Sequence, residues 1–512
     1  MSSKLSAICT SENYRLMSNG LHPLDWFVIV TFLVAMLVVG WYFSRRTETT
    51  DDYLLGGRQM NPWAVGLSLF ATLLSTVTYL SMPGEMIKHG PMVIGMIASF
   101  PLIAWVVGWF IIPRFMALSV TSAYEILETR LGLSIRLLGS TLFLSLRLLW
   151  MAVVIHATVD TVLIPMLGWD EKMIPYVSCV LGMITVIYTS MGGLRAVVYT
   201  DVVQTFVLLG GAILTMATIT YNLGGVEYWW PTKWDPEWSP IRIWFSPSSS
   251  RTIAGAALSG FVWYVCTAGS DQMAVQRYLA TKDTAAARKM YFISLGVAVF
   301  STTFLAVLGL ALHGYFSANP QLLSEGFSIR NDADKLFPLY ILIGLPTGIS
   351  GLVVAGLLAA AMSSLSSGLN SSCSVITIDF VDRFRRRRTE SEFDHIGLTR
   401  HVSWIVGAVI IGLSLFAGTV EGNLLDVTYK VVNLLVAPLF VLFFLALYIP
   451  WSTYLGAWLG VTSSIVVAVS ISFFQLFGLN IFWIMPGALI CGVVVGTLAS
   501  LIPCSKVGAD RE

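Results

Sequence analysis

The sequence predicts an all-α polytopic membrane protein with about 13 transmembrane helices. Of its 512 residues, 56% are hydrophobic and only 12% are charged, which is far from the usage of soluble domains. The apolar residues form runs of about 20, the length with which a helix crosses a bilayer. The net charge of +1 gives no electrostatic signal for a nucleic-acid partner.

Thirteen apolar spans can be drawn along the chain. Residues 1–22 lack the basic, apolar and small-residue order of a cleavable signal peptide, so we expect the first span to be retained. The six cysteines show no CxxC spacing, so we expect neither disulfides nor a cysteine metal site. The approximate limits of the spans are 24–43, 62–83, 92–112, 137–167, 174–190, 196–221, 252–274, 290–316, 347–380, 399–419, 424–449, 453–475 and 479–502.

The positive charges predict the orientation. With the N-terminus outside, 19 of the 30 Lys and Arg residues lie on the inner side, including Arg195, Arg277 and the basic run at 383–388. Nine lie outside, and Arg147 and Lys430 fall within spans. This excess follows the positive-inside rule and predicts a cell-membrane protein with a cytoplasmic C-terminus. The basic run is most simply an inner-face stop signal, and binding of lipid headgroups is the alternative.

The ninth span carries a cluster of four serines within five residues: Ser363, Ser364, Ser366 and Ser367. Hydroxyls are tolerated in a hydrocarbon core only where they meet partners or line a cavity. Hydroxyl and carbonyl oxygens are hard ligands, so the first hypothesis is a site for a small hard cation. The alternative is structural, because serines also bond back to carbonyls of their own helix and let helices approach closely.

Two other spans have the composition of interrupted helices. Hydroxyls are scattered through the second span, and the seventh contains Gly260, Gly269 and the polar run 270–272. We expect the break of the seventh span near Trp263 and Tyr264. Carbonyls freed by unwinding at depth need a protein-lined cavity or an ion, as in transporters built from inverted repeats.

Four stretches, in this order, resemble the sodium:solute symporter family of sodium-coupled sugar, sialic acid, proline, pantothenate, monocarboxylate and iodide transporters. The resemblance runs from about residue 24 to residue 450. The stretches are YLLGGRQMNPWAVGLSLFATLLSTVTYLSMPGE, MGGLRAVVYTDVVQT, QRYLATKD and AGLLAAAMSSLSSGLNS.

The resemblance implies a leucine-transporter-type core of two inverted five-helix repeats, with one extra helix before it and two after it. On this chain that division places an outer N-terminus at 1–23 and the extra helix at 24–43. The two repeats occupy 62–221 and 252–449, separated by a Trp- and Pro-rich outer loop at 222–251. The two peripheral helices lie in 453–502 and the cytoplasmic C-terminus at 503–512.

The resemblance also implies a sodium site between the first and eighth core helices. Its ligands here would be the carbonyls of Ala71, Leu74 and Ala360 and the hydroxyls of Ser363 and Ser364. Five oxygen ligands without formal charge suit a monovalent cation that must leave again, whereas a cage of carboxylates favours a divalent ion.

A second sodium site, present in some members, would map to Asp201, Ser366 and Ser367, with Ser363 shared. An ionisable group inside an apolar span is a functional candidate by default. The alternative is that Asp201 lies near the inner interface and pairs with Arg195 or caps its helix.

The solute is harder to predict than the ion. Leu73 and Lys430 stand where sugar-carrying members have Asn and Gln, which disfavours a hexose. Ser75 and Thr78 share a helix face and match hydroxyls that hold the carboxylate in sialic acid carriers. Trp150, however, replaces the Arg of those carriers. An anionic, carboxylate-type solute is therefore favoured, with a sugar or polyol as the alternative.

Four further side chains are candidates for solute binding or gating. Arg147 lies roughly 15 Å inside its span, which requires a partner that is structural or the solute itself. Lys430 either contacts the solute or pairs with Asp426 four residues earlier. Trp263 and Tyr264 resemble aromatics that gate or stack on the solute, although buried aromatics are often only core.

We therefore predict a symporter that imports its solute by alternating access, with Na⁺ as coupling ion, no other cofactor and a monomer sufficient for function. A non-transporting sensor or a channel is a less favoured alternative. The chain contains no HExxH motif, no GxSxG in context and no paired catalytic carboxylates, so we predict that it is not an enzyme.

Overall fold

The computed structural model describes residues 21–118, 120–249, 251–323, 326–385, 395–417 and 424–502, and within these residues the regular elements are helices. In chain order they are α1 (Pro23–Ser44), α2 (Thr50–Leu55), α3 (Pro62–Leu73), α4 (Thr76–His89), α5 (Pro91–Met116), α6 (Glu125–Leu131), α7 (Leu133–Leu167), α8 (Ile174–Leu223), α9 (Ile253–Ser270), α10 (Gln272–Leu279), α11 (Thr284–Ala318), α12 (Ala333–Ile343), α13 (Ile349–Asp382), α14 (Ile396–Ala417), α15 (Leu424–Tyr448), α16 (Tyr454–Phe474) and α17 (Ile481–Ala499).

The helices account for the predicted membrane spans. Among the described residues, ten helices are long and apolar enough to cross a membrane, and the bent pair α3–α4 is an eleventh. Helix α8 has 50 residues, more than one crossing needs, and it breaks at Gly193, where φ is 59°. The second half of α8 and helix α15 complete the thirteen. Residues 1–20 of the predicted N-terminal segment 1–23, the predicted C-terminus at 503–512 and the basic residues 386–388 lie outside the described residues.

Gly193 is required at the break in α8 for two reasons. Its positive φ is a conformation that side-chain-bearing residues rarely adopt. A Cβ at this position would also lie 2.5 Å from the carbonyl oxygen of Tyr53. The tight turn lets α2 pack into the break, where the Tyr53 hydroxyl donates to the carbonyl of Ser190 at 2.9 Å.

Two discontinuous helices open the two halves of the core. Helices α3 and α4 meet at 66°, and Leu74 and Ser75 between them are extended. Helices α9 and α10 are separated by Asp271, also extended. The expected position of this second break was wrong, because Trp263 and Tyr264 lie two turns earlier in continuous helix. Asp271 sets the break, since its Oδ1 accepts the Met273 amide at 2.9 Å and caps α10.

Helix α13, which carries the serine cluster, is fixed at its first turn by α1. Asp25 is buried, and its Oδ1 accepts the amides of Gly348 at 2.7 Å and Gly351 at 2.8 Å. These amides have no acceptor within their own helix, so the carboxylate satisfies them and complements the helix dipole. The extra N-terminal helix therefore positions the serine helix.

The last turns of α13 are fixed by a group of charged side chains. Asp379 accepts the Ser122 hydroxyl at 2.6 Å and the Arg136 Nε at 2.7 Å. Glu128 accepts from Arg136 at 2.7 Å and from Arg383 at 2.6 Å. Because both ends are tied to neighbouring helices, the serines between them are held in register with the two breaks.

Candidate functional site

The break between α3 and α4 brings backbone carbonyls to the serine helix. The carbonyl groups in the last turn of α3 lack the backbone N–H donors that a continuing helix would supply, because α4 starts in a new direction. Ser363 and Ser364 of α13 face this turn and are almost fully buried. The break and the serine cluster therefore form one oxygen-rich surface in the interior.

The hydroxyls of this surface lie close to the predicted carbonyl ligands. The Ser363 Oγ is 3.0 Å from the carbonyl oxygen of Ala71 and 3.1 Å from that of Ala360. The Ser364 Oγ donates to the carbonyl of Thr72 at 3.2 Å, one residue from Ala71. Three of the five predicted ligands are therefore joined by direct contacts, namely Ser363, Ala71 and Ala360. Ser364 contacts the neighbouring carbonyl of Thr72 instead of a predicted ligand.

The donor set of this surface fits a monovalent cation. It consists of hydroxyl and carbonyl oxygens with no carboxylate among the contacting groups. Within the described part of the chain, no group of three or more His, Cys, Asp or Glu side chains could hold a metal ion. Neutral oxygens bind sodium weakly enough for release, whereas a divalent ion prefers carboxylates.

Asp201 of α8 belongs to a fully buried group of polar side chains, which meets α13 at Ser367, one helix turn after Ser363. Its Oδ2 accepts from Ser68 at 2.6 Å and lies 3.4 Å from the Ser367 hydroxyl. The Arg277 guanidinium is 3.2 Å from the same oxygen and donates to Ser367 at 2.6 Å. Asp201 Oδ1 is buried and has no hydrogen-bond partner among the described residues. The hydroxyl of Ser366 points elsewhere, to the carbonyl of Ser363 at 3.2 Å.

The partner of Asp201 differs from both alternatives that the sequence suggested. Arg195 pairs instead with Asp52 at 2.6 Å, and Asp201 lies in the interior of α8 rather than at a cap. Arg277, which the charge count places on the inner side of the membrane, is fully buried and pairs with Asp201. The sequence carries one sign of this buried position, because Arg277 follows a polar run in an otherwise apolar span.

A cavity of about 180 Å³ opens beside the two breaks. Six of the eight predicted solute or gating residues line it: Leu73, Thr78, Arg147, Trp150, Trp263 and Tyr264. Ser75 is buried behind Thr78, with 3.5 Å between the two hydroxyls. The side chains of Lys430 and Asp426 lie outside the described residues. The cavity thus collects most of the predicted solute contacts next to the predicted ion ligands.

The walls of the cavity contain polar residues that sequence reasoning did not select. Single hydroxyls and amides within apolar spans gave no pattern that separates them from hydroxyls bonded to their own helix. These missed residues are Thr72, Ser81, Ser259, Thr267, Ser294, Thr302 and Asn433.

Thr72 joins the predicted ion sites to the cavity. Its carbonyl accepts from Ser364 at 3.2 Å, and its hydroxyl is 2.8 Å from that of Ser367. The same residue lines the cavity. Thr72 therefore contacts both predicted ion sites and the cavity.

Arg147 is the only formally charged side chain among the described residues that line the cavity. It is buried and forms an ion pair with Asp271, the residue at the break between α9 and α10. Its ring contact is weak, with 5.9 Å between the guanidinium carbon and the Phe143 centroid. The sequence required a partner for this buried cation, and Asp271 is that partner.

Aromatic rings form one side of the cavity. Trp263 and Tyr264 meet edge to face with 4.8 Å between their centroids, and Tyr264 packs against Phe100 at 4.9 Å. Trp150 lies on α7, one turn from Arg147. Such rings offer flat apolar faces beside polar groups, which suits a solute with both kinds of surface.

Comparison with known proteins gives consistent matches over nearly the whole chain. Residues 53–463 match the model of the sodium:solute symporter family. The sodium/sialic acid symporter of Proteus mirabilis is 30% identical over 504 residues, covering 95% of this chain and 97% of that protein. The one of Aliivibrio fischeri is 29% identical over 491 residues, 95% of each chain. A substrate-bound, outward-open Na⁺-coupled sialic acid symporter superimposes with a TM-score of 0.82 at 28% identity, covering 94% of this chain and 98% of that chain.

Proposed function

The chain belongs to the sodium:solute symporter family, and from this premise we propose that its solute is a carboxylated sugar of the sialic acid type. The chain is a sodium-coupled symporter of a small anionic organic solute and not an enzyme, with Na⁺ as its coupling ion. It is a multi-pass membrane protein with the predicted leucine-transporter-type core, one extra helix before the core and two after it.

The observation that carries the solute proposal is the charge of the cavity. Arg147 is the only charged group among its described lining residues, and a guanidinium matches the planar geometry of a carboxylate. The family resemblance implies that sialic acid carriers have an Arg at the position of Trp150. Arg147 lies three residues earlier on the same helix face, so it supplies the same group from the adjacent turn.

The remaining lining suits the sugar part of such a solute. Asn433, Ser81 and Ser259 offer groups that exchange hydrogen bonds with hydroxyls and amides. The rings of Trp150 and Trp263 can stack on the apolar face of a sugar ring. Two relatives that match over 95% of this chain are named as sodium/sialic acid symporters, which supports the same choice.

We further propose that the coupling ion binds the carbonyls of Ala71, Leu74 and Ala360 and the hydroxyls of Ser363 and Ser364. A second ion is proposed at the unpartnered Oδ1 of Asp201, with the hydroxyls of Ser366 and Ser367 and with Ser363 shared. The ion would share Ser367 with Arg277, whose charge opposes it, so this second site is expected to be the weaker of the two.

The proposed cycle is alternating access. Sodium binds from outside between the α3 break and α13 and favours the outward-open form, after which the solute binds against the broken helices. Coupling requires that ion and solute favour the same state. We propose the cell membrane as location, an outer N-terminus and a cytoplasmic C-terminus, which the excess of Lys and Arg on the predicted inner side supports. We also propose the repeat boundaries given above, which the family resemblance implies, and a functional monomer.

Uptake by the purified protein in lipid vesicles tests the solute. We expect sialic acid uptake at least about tenfold faster with external sodium than with potassium, because the ion site stabilises the solute-binding form. Unlabelled sialic acid should compete, and its methyl ester should compete poorly because the ester lacks the charge that pairs with Arg147. Competition by glucose and not by carboxylates would favour the sodium/sugar alternative and contradict the proposal.

Charge movement per solute tests the number of ions. One sodium with a monoanion moves no net charge, whereas two sodium ions move one positive charge, worth about 2.3 kcal/mol per 100 mV. With two proposed sites we expect a charge-to-solute ratio near one, measured from currents and tracer uptake in the same vesicles. Electroneutral uptake would remove the second site from the coupled cycle.

A further inference from the structure

The guanidinium of Arg147 is only partly satisfied by the protein. Its contact with Asp271 is made through Nη2. Its Nε is buried and has no hydrogen-bond partner among the described residues. The hydroxyl of Thr267, one turn before Asp271 on α9, is also buried and unpartnered there, and both residues line the cavity. Buried donors without acceptors are costly, so two of them in the lining of one cavity indicate a site for an anionic oxygen.

The ion pair also joins two structural units. Arg147 lies in the middle of α7, a continuous helix. Asp271 lies in the extended break between α9 and α10, and its Oδ1 holds the first turn of α10. The pair therefore ties a continuous stretch of α7 to the break of a discontinuous helix.

We propose that the Arg147–Asp271 pair is an exchangeable latch, in which the carboxylate of the solute takes Arg147 from Asp271 and so releases the break that positions α10. The inference rests on the proposed anionic solute. A buried guanidinium needs an anionic partner at every stage, because an unpaired buried charge is strongly unfavourable. When the carboxylate of the solute replaces that of Asp271, Arg147 keeps an anionic partner throughout. Solute binding and the release of Asp271 are therefore coupled.

The latch gives the solute a differential interaction with two states of the protein. Without solute, Asp271 is held by Arg147 and α10 stays fixed to α7. With solute, Asp271 keeps its cap on α10 and loses its tie to α7. Only a ligand that binds one state better than the other can drive a conformational change, and the exchange supplies that difference. A neutral analogue lacks the group that competes with Asp271 and is expected to occupy the cavity without releasing α10.

The decisive variant is Asp271→Asn, which keeps an oxygen to accept the Met273 amide and removes the competing charge. We expect it to bind sialic acid about tenfold more tightly than the unaltered protein at saturating sodium, as measured by tryptophan fluorescence. If the pair is only structural, the variant binds no more tightly. The matched control is Asp283→Asn, since Asp283 caps α11 in the same way, accepting the Ala286 amide at 2.8 Å, and does not line the cavity.

Two additional measurements cover other outcomes. Acetate alone should raise the thermal stability of Asp271→Asn more than that of the unaltered protein, because Arg147 then lacks an anion. Equal effects on both would overturn the latch even if sialic acid is not the solute. If Asp271→Asn does not fold, Asp271→Ser is used, because a serine hydroxyl also accepts the Met273 amide and carries no charge. It should likewise bind sialic acid about tenfold more tightly, and unchanged or weaker binding contradicts the latch.

These measurements separate the inference from the function on which it rests. When the unaltered protein binds no carboxylate in the presence of sodium, the proposed function fails. When the unaltered protein binds sialic acid and Asp271→Asn binds it equally or less tightly, the function stands and the latch alone is overturned.

Discussion

Replacing Ser364 with alanine is expected to raise the sodium concentration for half-maximal uptake by about tenfold or more. The hydroxyl is one of five proposed neutral oxygen ligands. An interaction between a neutral polar group and a charge contributes about 1.5–3 kcal/mol, and 1.4 kcal/mol corresponds to a factor of ten. Uptake at a series of external sodium concentrations measures the effect.

The same substitution should leave the fold intact. Ser364 donates to the carbonyl of Thr72, and loss of one such bond between neutral groups costs about 1 kcal/mol. The maximal rate at saturating sodium should therefore change less than the sodium requirement. A large loss of rate with an unchanged sodium requirement would indicate a structural serine.

Ser374→Ala is the matched control for this experiment. Ser374 lies on the same helix and is equally buried, and its hydroxyl has no hydrogen-bond partner among the described residues. It lies almost three turns from Ser364, so it cannot reach the α3 break. If both variants shift the sodium dependence equally, the loss of any buried serine hydroxyl from α13 weakens uptake. The assigned sodium site would then be wrong.

The sequence was sufficient for the spans because the bilayer imposes a simple rule on them. Twenty apolar residues must form a helix where no water satisfies the backbone. The serine cluster was visible for the same reason, since Ser363 and its neighbours violate that rule together. The break after Leu73 was less visible, because neither Gly nor Pro marks it and two extended residues suffice.

The partners of the buried charges could not be predicted from the sequence. Arg147 and Asp271 are 124 positions apart, and their pairing depends on how α7 packs against the α9–α10 break. The count of positive charges assigns Arg277 to the inner side of the membrane and says nothing of its burial, since the rule uses position in the chain and not packing. Single cavity residues such as Asn433 carried no periodic signal, so only packing identifies them.

Arg277→Leu is expected to have the largest effect on stability. Arg277 and Asp201 are both fully buried, with 3.2 Å between Nη2 and Oδ2. Removal of the guanidinium leaves an uncompensated carboxylate in the interior, which costs roughly 3–5 kcal/mol. Thermal unfolding of the purified protein measures the loss. The double variant Asp201→Asn/Arg277→Leu removes both charges and should recover most of the stability, because the buried pair itself contributes little net stabilisation.

Sodium should restore part of the thermal stability of Arg277→Leu if Asp201 is an ion ligand. Without the guanidinium, the carboxylate and the hydroxyl of Ser367 face each other with no positive charge between them, and a small cation can replace the lost partner. Added sodium should therefore stabilise Arg277→Leu more than the unaltered protein, whereas choline should not. The double variant provides the control, since it lacks the carboxylate and should retain only the sodium response of the Ser363–Ser364 site. Equal sodium responses in all three proteins would mean that Asp201 holds Arg277 in place and binds no ion, which leaves a single sodium per cycle.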